Sequence, residues 1–469
     1  MVATPPTHHV SAAISLYALA HALAHFNAIS ALDRIDNSLR NAPKHAQFAC
    51  VFRESRLPVD IRNQMDNLRL VGVTSQAKTL YDPLSQESRN DPYPAYERLR
   101  TRAPVYYCEP RNVWVLSRYE DVRAALRDWE RFTSAKGLEI GDFVGFFGKG
   151  DFVQMDPPEH DDVRRIFAPR FANRAMSHYE PIVTTLAEQL VSEFPREGVV
   201  DIAGAFTQRL PLLTICQMLG IADSDVPWVV KSFIDMMKRN AGENMPSDHA
   251  HKLRSELVAF FNEQVELRIN QDGFDDLQSD IAHAIQSGII DRSHIPGVCL
   301  MLMHAGLETT STLLGNIVHA IANKVIDSRE LMDEQGELRN SALEEFLRFD
   351  APIQWLSRVT TVDVTIHETT IPEGSRVLLL YASANRDPDV FPNPDVLDIG
   401  REGSRHLAFG EGIHFCLGMP LAKLETRIGI RSLLRKHQTI TANGRPTRFP
   451  SLVGRGYDHL PVRLSPAEH

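Results

Sequence analysis

The stretch HLAFGEGIHFCLGMPLAKLE, residues 406–425, places a single cysteine in a glycine-rich loop directly before a predicted helix. Gly410 and Gly412 precede Cys416, and Gly418 follows it by two residues. Glycine lets the backbone approach another group closely, and the N-terminus of a helix favours negative charge. The pattern therefore predicts a loop that comes close to the sulfur and directs backbone N–H groups at a thiolate.

The composition is that of a globular protein without a general nucleic-acid signature. The chain has 469 residues, of which 43% are hydrophobic and 23% charged, with a net charge of -10. A partner guided by charge must therefore meet a local basic patch. The cysteines are odd in number and form no CxxC pair, which argues against a disulfide framework and a structural zinc site. We expect a cytoplasmic protein. The cysteines are Cys50, Cys108, Cys216, Cys299 and Cys416.

The N-terminal part contains a stretch, Val10–Leu32, that carries no Lys, Arg, Asp or Glu and is long enough to span a bilayer. It is rich in alanine, contains His21 and His25, and lacks the basic segment of a secretory signal. We expect a helix that does not cross a membrane. Residues 1–79 are predicted to be an extension of unknown role, with Met65 as an alternative start.

Residues 80–469 are predicted to form one domain that is mainly α with a minor β part. The sequences VYYC and VWVLSR, with EPRN between them, indicate paired strands. Helical patterns dominate from His160 to about Phe349, and the longest helix is predicted from Ile295 or Pro296 to about Asp327. The loop Ser134–Phe152 is rich in glycine and phenylalanine, which is typical of a binding-site wall.

Several separated motifs carry a family resemblance. They are DPPEHDDVRR (156–165), AGLETT (305–310), EEFLR (344–348), SANRDP (383–388) and FGEGIHFCLG (409–418). In this order they resemble the motifs of the cytochrome P450 family of haem-thiolate monooxygenases, in its soluble bacterial form. The resemblance covers about Tyr81–Leu464. It implies the cytochrome P450 fold, a single large domain with a long central helix over the haem.

The resemblance implies haem b, iron protoporphyrin IX, as the cofactor and Cys416 as the ligand of its iron. A thiolate is the strongly electron-donating ligand that favours O–O cleavage. Phe409 is expected to shield the sulfur from water. Gly410 and Ala305 are expected to contact the haem.

Four cationic residues are implied partners of the haem propionates: His160, Arg164, Arg358 and His414. The spacing of His160 and Arg164 supports this, because residues four apart share one helix face. Arginine suits carboxylates through its planar fork of donors.

The motif AGLETT is implied to serve oxygen activation. The resemblance assigns Thr309 as the hydroxyl beside the oxygen site and Glu308 as the acid that passes protons inward, where the family more often has Asp. Gly306 and the adjacent threonines weaken a helix, so we expect a locally widened turn there.

Glu345 and Arg348 resemble the family's buried ion-pair network, completed by Arg401. We expect them to stabilise the fold rather than to take part in turnover.

The predicted substrate pocket is apolar and aromatic. His304 is unusual there; it either hydrogen-bonds a phenol or carboxylate of the substrate or pairs with Glu308. Lys136 is a further candidate for binding an anion. The predicted pocket residues are His304, Phe143, Phe147, Trp355, Leu356 and Lys136.

Electrons must come from outside the chain, since it carries no flavin or iron–sulfur motif. We expect a ferredoxin with its reductase, supplied by NAD(P)H, docking on a basic patch that includes Arg165, Lys423 and Arg427. O2 is the expected co-substrate. A weaker likeness to members acting on small aromatic compounds predicts hydroxylation or O-demethylation of a small apolar substrate. The alternatives are a peroxygenase that uses H2O2 and a non-enzymatic haem-based sensor or ligand-binding protein.

Overall fold

The computed structural model describes most of the predicted domain, namely residues 79–140, 145–238, 246–403, 405–449 and 451–465. The predicted extension, residues 1–79, lies outside the described residues except for Thr79, and so does the apolar stretch Val10–Leu32. Among the helices that the structure describes, none is both long and apolar enough to cross a lipid bilayer.

Helices make up about half of the described chain and outweigh the strands, as the sequence predicts. In chain order they are α1 (Gln86–Asn90), α2 (Tyr93–Arg102), α3 (Tyr119–Arg127), α4 (Glu159–Phe171), α5 (Met176–Ser192), α6 (Arg209–Met218), α7 (Val226–Met237), α8 (Asp248–Asn270), α9 (Leu277–Gln286), α10 (Ile295–Ala322), α11 (Ser328–Leu331), α12 (Asn340–Phe349), α13 (Tyr381–Ala384) and α14 (Met419–Lys436).

The strands form small separate sheets in the described residues. They are β1 (Val105–Cys108), β2 (Val113–Leu116), β3 (Phe132–Thr133), β4 (Gly198–Asp201), β5 (Leu356–Thr360), β6 (Val364–Ile366), β7 (Thr369–Ile371), β8 (Arg376–Leu379), β9 (Thr439–Ala442), β10 (Thr447–Arg448), β11 (Tyr457–His459) and β12 (Pro461–Ser465). The largest sheet has the order β1-β2-β8-β5-β3, and β4-β12-β9 form another. The predicted pairing of β1 with β2 is confirmed: it is antiparallel, with Val105 opposite Leu116.

The long helix α10 has 28 residues, about 42 Å at 1.5 Å per residue, and packs against α6, α8 and α14. Pro296 lies in its first turn, where the missing N–H of proline is tolerated. The helix ends at Ala322, earlier than the predicted Asp327, because Lys324 adopts a positive φ of 56°. The sequence after Ala322 is still partly apolar, so periodicity alone extended the prediction too far.

Close packing of three helices positions the middle of α10. A Cβ built on Gly429 of α14 would lie 3.0 Å from Leu210 of α6 and 3.1 Å from Leu314 of α10. A side chain at Gly429 would therefore push these helices apart. The small residue fixes α14, and the loop directly before it, at a short distance from the middle of α10.

Candidate functional site

A cavity of about 310 Å³ is lined by both sequence motifs that suggest chemistry. Ala305 and Thr309 line it from α10, while Phe409, Gly410 and Cys416 line it from the loop before α14. Most of the remaining wall is apolar. The cysteine loop and the middle of the long helix, about a hundred residues apart in sequence, therefore belong to one site.

The sulfur of Cys416 lies at the N-terminal end of α14, which begins at Met419. Burial raises the pKa of the Cys416 thiol, while hydrogen bonds from the backbone N–H groups of Gly418 and Met419 and the positive charge of Arg164 act to lower it. Two N–H donors aimed at one sulfur suit a thiolate bound to a metal ion. The donor set therefore fits the predicted iron ligand.

The four predicted cationic residues come together beside this cavity. The ring centroids of His160 and His414 lie 4.5 Å apart. Nη2 of Arg164 donates to the carbonyl oxygen of Phe415 at 2.6 Å. Arg358 is 3% exposed, and its positive charge acts on His414. The sequence prediction of one cluster agrees with this geometry.

The cluster has buried ring nitrogens without hydrogen-bond partners among the described residues, while Nδ1 of His160 lies 2.8 Å from Oδ1 of Asp161. Nε2 of His160 and Nε2 of His414 are buried and have no hydrogen-bond partner among the described residues. Burial, and then the charges of Arg358, His160 and Arg164, lower the pKa of His414 to about 2. Buried polar atoms normally have partners, so the cluster fits a group with two carboxylates, such as the propionates of haem. That assignment stays a prediction.

The predicted widened turn near Gly306 is wrong, because Ile295–Ala322 is α-helical throughout. Oγ1 of Thr309 donates to the carbonyl oxygen of Ala305 at 2.9 Å. A hydroxyl that bonds back along its own helix is satisfied without opening the backbone. Thr309 still lines the cavity, so its oxygen remains able to accept a further hydrogen bond there.

His304 and Glu308 form a pair one helical turn apart on α10. Nε2 of His304 lies 3.6 Å from Oε2 of Glu308, and both residues line the cavity. Burial acts to lower the pKa of His304, but the hydrogen bond and the charge of Glu308 outweigh it and raise that pKa. The carboxylate of Glu308 also packs against Gly454, where a Cβ would collide with it. Of the two predicted roles of His304, the structure shows the pairing with Glu308.

Two of the predicted pocket residues, Phe147 and Leu356, line the cavity, but Trp355 does not. Trp355 is 2% exposed and packs in an apolar cluster with Tyr96 and Leu99. Neighbouring residues of extended chain point in opposite directions, so Leu356 and Trp355 cannot both face the cavity. The prediction that Trp355 forms the pocket is wrong; it fills the core.

The prediction for Lys136 is also wrong. Lys136 is exposed, does not line the cavity, and its carbonyl oxygen accepts a hydrogen bond from Arg376 at 2.8 Å. The turn at this point directs the lysine outward. Phe143 lies outside the described residues.

Sequence reasoning missed two buried carboxyl groups that line the cavity, Asp151 and Glu425. Burial raises the pKa of Asp151 to about 6, and burial raises the pKa of Glu425 to about 8. Hydrogen bonds involving Thr214 and Thr310 act to lower the latter. No local pattern marks these residues, because their burial depends on helices far away in sequence.

The predicted structural ion-pair network is present in the core. Arg348 and Glu345 are fully buried and form two hydrogen bonds of 2.8 Å, and Nε of Arg401 lies 3.1 Å from Glu345. Arg348 also donates to the carbonyl oxygens of Asn385 and Pro394. These bonds tie α12 to the segment before the cysteine loop.

The predicted basic patch is partly neutralised. Nζ of Lys423 lies 2.5 Å from Oε1 of Glu344. Arg427 donates to Oδ1 of Asn340 at 2.7 Å. Because this amide oxygen carries no formal charge, the bond does not neutralise the arginine. The side chain of Arg165 is 74% exposed, although Asp162 lies 3.2 Å away. Arg165 and Arg427 are thus better placed than Lys423 to present positive charge to a partner.

Comparison with known proteins identifies relatives of this chain. Residues 207–453 match the family model "Cytochrome P450". The chain is similar to a "Vitamin D(3) 25-hydroxylase" of Pseudonocardia autotrophica, with 33% identity over 84% of this chain and 99% of the relative. It is also similar to a "6-deoxyerythronolide B hydroxylase" of Saccharopolyspora erythraea, with 31% identity over 82% of this chain and 99% of the relative.

Solved structures of cytochromes P450 are also similar to this chain. CYP109E1 from Bacillus megaterium, in complex with testosterone, has a TM-score of 0.71 and 28% identity over 81% of this chain and 99% of that one. The polyketide synthase cytochrome P450 PksS of Bacillus subtilis has a TM-score of 0.73 and 28% identity, covering 82% of this chain and 100% of the other. The fold and site define a haem-thiolate oxygenase. The chain belongs to the cytochrome P450 family, whose members are monooxygenases that use haem b, O2 and electrons from NAD(P)H through redox partners.

Proposed function

We propose that this monooxygenase hydroxylates or O-demethylates an apolar substrate, with two electrons from an external ferredoxin-type donor. The observation that carries the proposal is the shared cavity of Cys416 and Thr309. Most of its wall beyond these residues is apolar and includes Phe147, Met301 and Leu356. An apolar cavity with few polar groups binds and orients a substrate that water solvates poorly.

When bound, haem b supplies the thiolate-ligated iron that activates O2. In our proposal Cys416 binds this iron, with Gly418 and Met419 donating to the sulfur. His160, Arg164, Arg358 and His414 would hold the propionates, since Nε2 of His160 and Nε2 of His414 have no hydrogen-bond partner among the described residues. Phe409, Gly410 and Ala305 complete the haem contacts.

Glu308 and Thr309 are proposed to deliver protons. His304 holds the carboxylate of Glu308 at 3.6 Å, at the wall of the cavity. An acid held there can give up a proton to a neighbouring hydroxyl or water and regain one. The hydroxyl of Thr309 donates to Ala305, so its lone pairs are oriented to accept from a donor in the cavity.

Two observations bear on the class of apolar substrate, and they point to molecules of different size. The sequence likeness predicts a small aromatic compound. The relatives point to larger molecules: one is named a vitamin D(3) 25-hydroxylase, and another was solved in complex with testosterone. A panel of ligands should therefore include both classes.

The electron donor is proposed to dock on a surface that includes Arg165, Lys423 and Arg427. Support comes from the exposure of Arg165 and the unpaired charge of Arg427. An Arg165→Glu variant should raise the KM for ferredoxin at low salt, and the difference should shrink at high salt because ions screen surface charge. An unchanged KM at low salt would exclude Arg165 from the docking surface.

The absorption spectrum of the reduced protein with CO tests the proposal most directly. A thiolate ligand gives the red-shifted Soret band for which the family is named, and we expect Cys416→His to lose it. NADH oxidation in the presence of ferredoxin, reductase and a panel compound should yield oxygenated product. Product formation from H2O2 alone would instead indicate a peroxygenase, and ligand binding without turnover would indicate a sensor.

A further inference from the structure

One buried carboxylate of the cavity wall, that of Asp151, is only partly hydrogen-bonded. Asp151 is 4% exposed and lines the cavity. Its Oδ2 accepts a hydrogen bond from Nε2 of Gln154 at 2.6 Å, while its Oδ1 has no hydrogen-bond partner among the described residues. Burying a carboxylate with one oxygen that accepts no hydrogen bond costs free energy, unless a ligand supplies the missing interaction.

The position of Asp151 is fixed by close packing of the loop before it. Gly150 has a φ of 103°, and a Cβ there would collide with the carbonyl of His294. A Cβ on Gly297, in the first turns of α10, would collide with the carbonyl of Lys149. The loop therefore lies directly on the helix, so the carboxylate is held in place before any ligand arrives.

Asp151 is one of three carboxyl groups of the cavity wall whose charge acts on His304. Glu139 and Glu308 also line the cavity, and both act electrostatically on His304 together with Asp151. Three carboxyl groups thus face one imidazole, which is already paired with Glu308 at 3.6 Å. The centroid of the Phe147 ring lies 5.1 Å from that of His304, so an aromatic face lines the same region.

We propose that the substrate is a lipophilic cation, an apolar molecule with one ammonium group, and that Asp151 binds this group. The inference rests on the proposed function and specifies its substrate class. The ammonium offsets the charge of Asp151, and the face of Phe147 attracts it through its ring electrons. An anionic substrate such as a benzoate is repelled by the same carboxylates, and Lys136, which was predicted to hold one, is exposed.

Burial raises the pKa of Asp151 to about 6, and this agrees with the proposal. The carboxyl group still loses its proton near neutral pH, so it carries the charge that a cation needs. A neutral hydrogen-bond donor would satisfy one oxygen but leave the charge uncompensated.

The test uses the haem-loaded protein and three probes of equal length. The first is a phenylalkyl trimethylammonium ion, which has no lone pair and cannot bind iron. The second is its uncharged tert-butyl isostere, and the third is the corresponding carboxylate. Dissociation constants come from the change in the Soret band on titration. We expect the cation to bind at least about tenfold more tightly than either of the others, a difference of about 1.4 kcal/mol.

In Asp151→Asn the preference for the cation should disappear, while the affinity for the tert-butyl probe stays within about twofold. Asp223→Asn, which removes an exposed carboxylate, is the matched control and should keep the preference. Equal affinity of the wild type for cation and isostere overturns the inference, as does a preference that survives Asp151→Asn. If either of these outcomes occurs while the wild type still shows a normal Soret band in the CO-difference spectrum, the haem-thiolate function itself holds. Loss of that band in the wild type refutes the proposed function.

Discussion

Nε2 of His304 lies 3.6 Å from Oε2 of Glu308, and the two residues are one turn apart on the helix that lines the cavity. Glu308 raises the pKa of His304 despite the opposing effect of burial. The pair is therefore an ion pair over a wider pH range than a free imidazole would allow. It holds the carboxylate of Glu308 at the place where we propose that protons enter.

The pairing of His304 with Glu308 should make the free energy of unfolding depend on pH. Because the folded-state pKa of His304 is raised, its contribution is fully present below the ordinary pKa of 6.5 and is lost as the pH rises through the folded pKa. The free energy of unfolding of the wild type relative to His304→Gln should therefore decrease as the pH rises above 6.5. Denaturant titrations of the haem-loaded proteins at several pH values measure it.

His319 provides a control of opposite sign, since burial lowers its pKa. The stability that wild-type His319 contributes relative to His319→Gln should decrease as the pH falls below the ordinary pKa of 6.5. The same pH trend in both variants would contradict the assignment of a charged His304.

Removing the hydroxyl of Thr309 should separate electron use from product formation. In Thr309→Ala the group that bonds to Ala305 at 2.9 Å is lost, so the proton path into the cavity is broken. We expect NADH consumption to continue, while product per NADH falls roughly tenfold, less than the full effect of a general acid. Thr309→Ser keeps the hydroxyl and should restore most of the coupling. Full coupling in Thr309→Ala would exclude the proposed role.

Two glycines of the cysteine loop should respond differently to alanine. Gly412 has a φ of 73°, and a Cβ there would lie 2.5 Å from the carbonyl oxygen of Leu126. Gly418 has a φ of -82° and open space around the added Cβ. We expect Gly412→Ala to lose about 1–3 kcal/mol of stability and to retain haem poorly. Gly418→Ala should resemble the wild type in thermal unfolding; an equal loss of stability in both variants would contradict the argument from packing.

Local spacing in the sequence predicted much of this site. His160 and Arg164 are four residues apart on α4, and Glu345 and Arg348 are three apart on α12, so each pair necessarily shares a helix face. The cysteine loop was equally readable, because Gly412 has to adopt a backbone conformation that other residues avoid. Features set by neighbouring residues can be inferred from one sequence.

Features set by distant residues could not be inferred. Whether Trp355 or Leu356 faces the cavity depends on which side of the extended segment the core lies. The pKa of Glu425 depends on its burial and on hydrogen bonds with Thr214 and Thr310, which belong to two other helices. Asp151 follows a loop whose course is fixed by its packing on α10. Apolar periodicity contains no information about these contacts, so two carboxylates of the cavity were missed.

Glu425 should make the protein less stable as the pH rises. Its folded-state pKa of about 8 exceeds the ordinary 4.5, so the folded state retains a proton that the unfolded state has lost. Between these values the free energy of unfolding should fall by up to about 1.4 kcal/mol per pH unit. Glu425→Gln should abolish this slope, whereas Glu188→Gln, at an exposed site, should retain it. An unchanged slope in Glu425→Gln would show that the carboxyl group is ionised in the folded protein.

The buried network around Glu345 should be needed for stability rather than for chemistry. Replacing Glu345 by alanine leaves Arg348 without its two 2.8 Å bonds in the core, which should cost roughly 3–5 kcal/mol. The exposed pair of Arg292 and Glu266 is the matched control, and Glu266→Ala should cost less than about 1 kcal/mol. Denaturant unfolding gives both values.

Turnover per haem-loaded molecule should stay near the wild-type rate in Glu345→Ala, because no residue of this network lines the cavity within the described chain. A fall in turnover at full haem content, with stability unchanged, would instead assign Glu345 a direct part in the reaction.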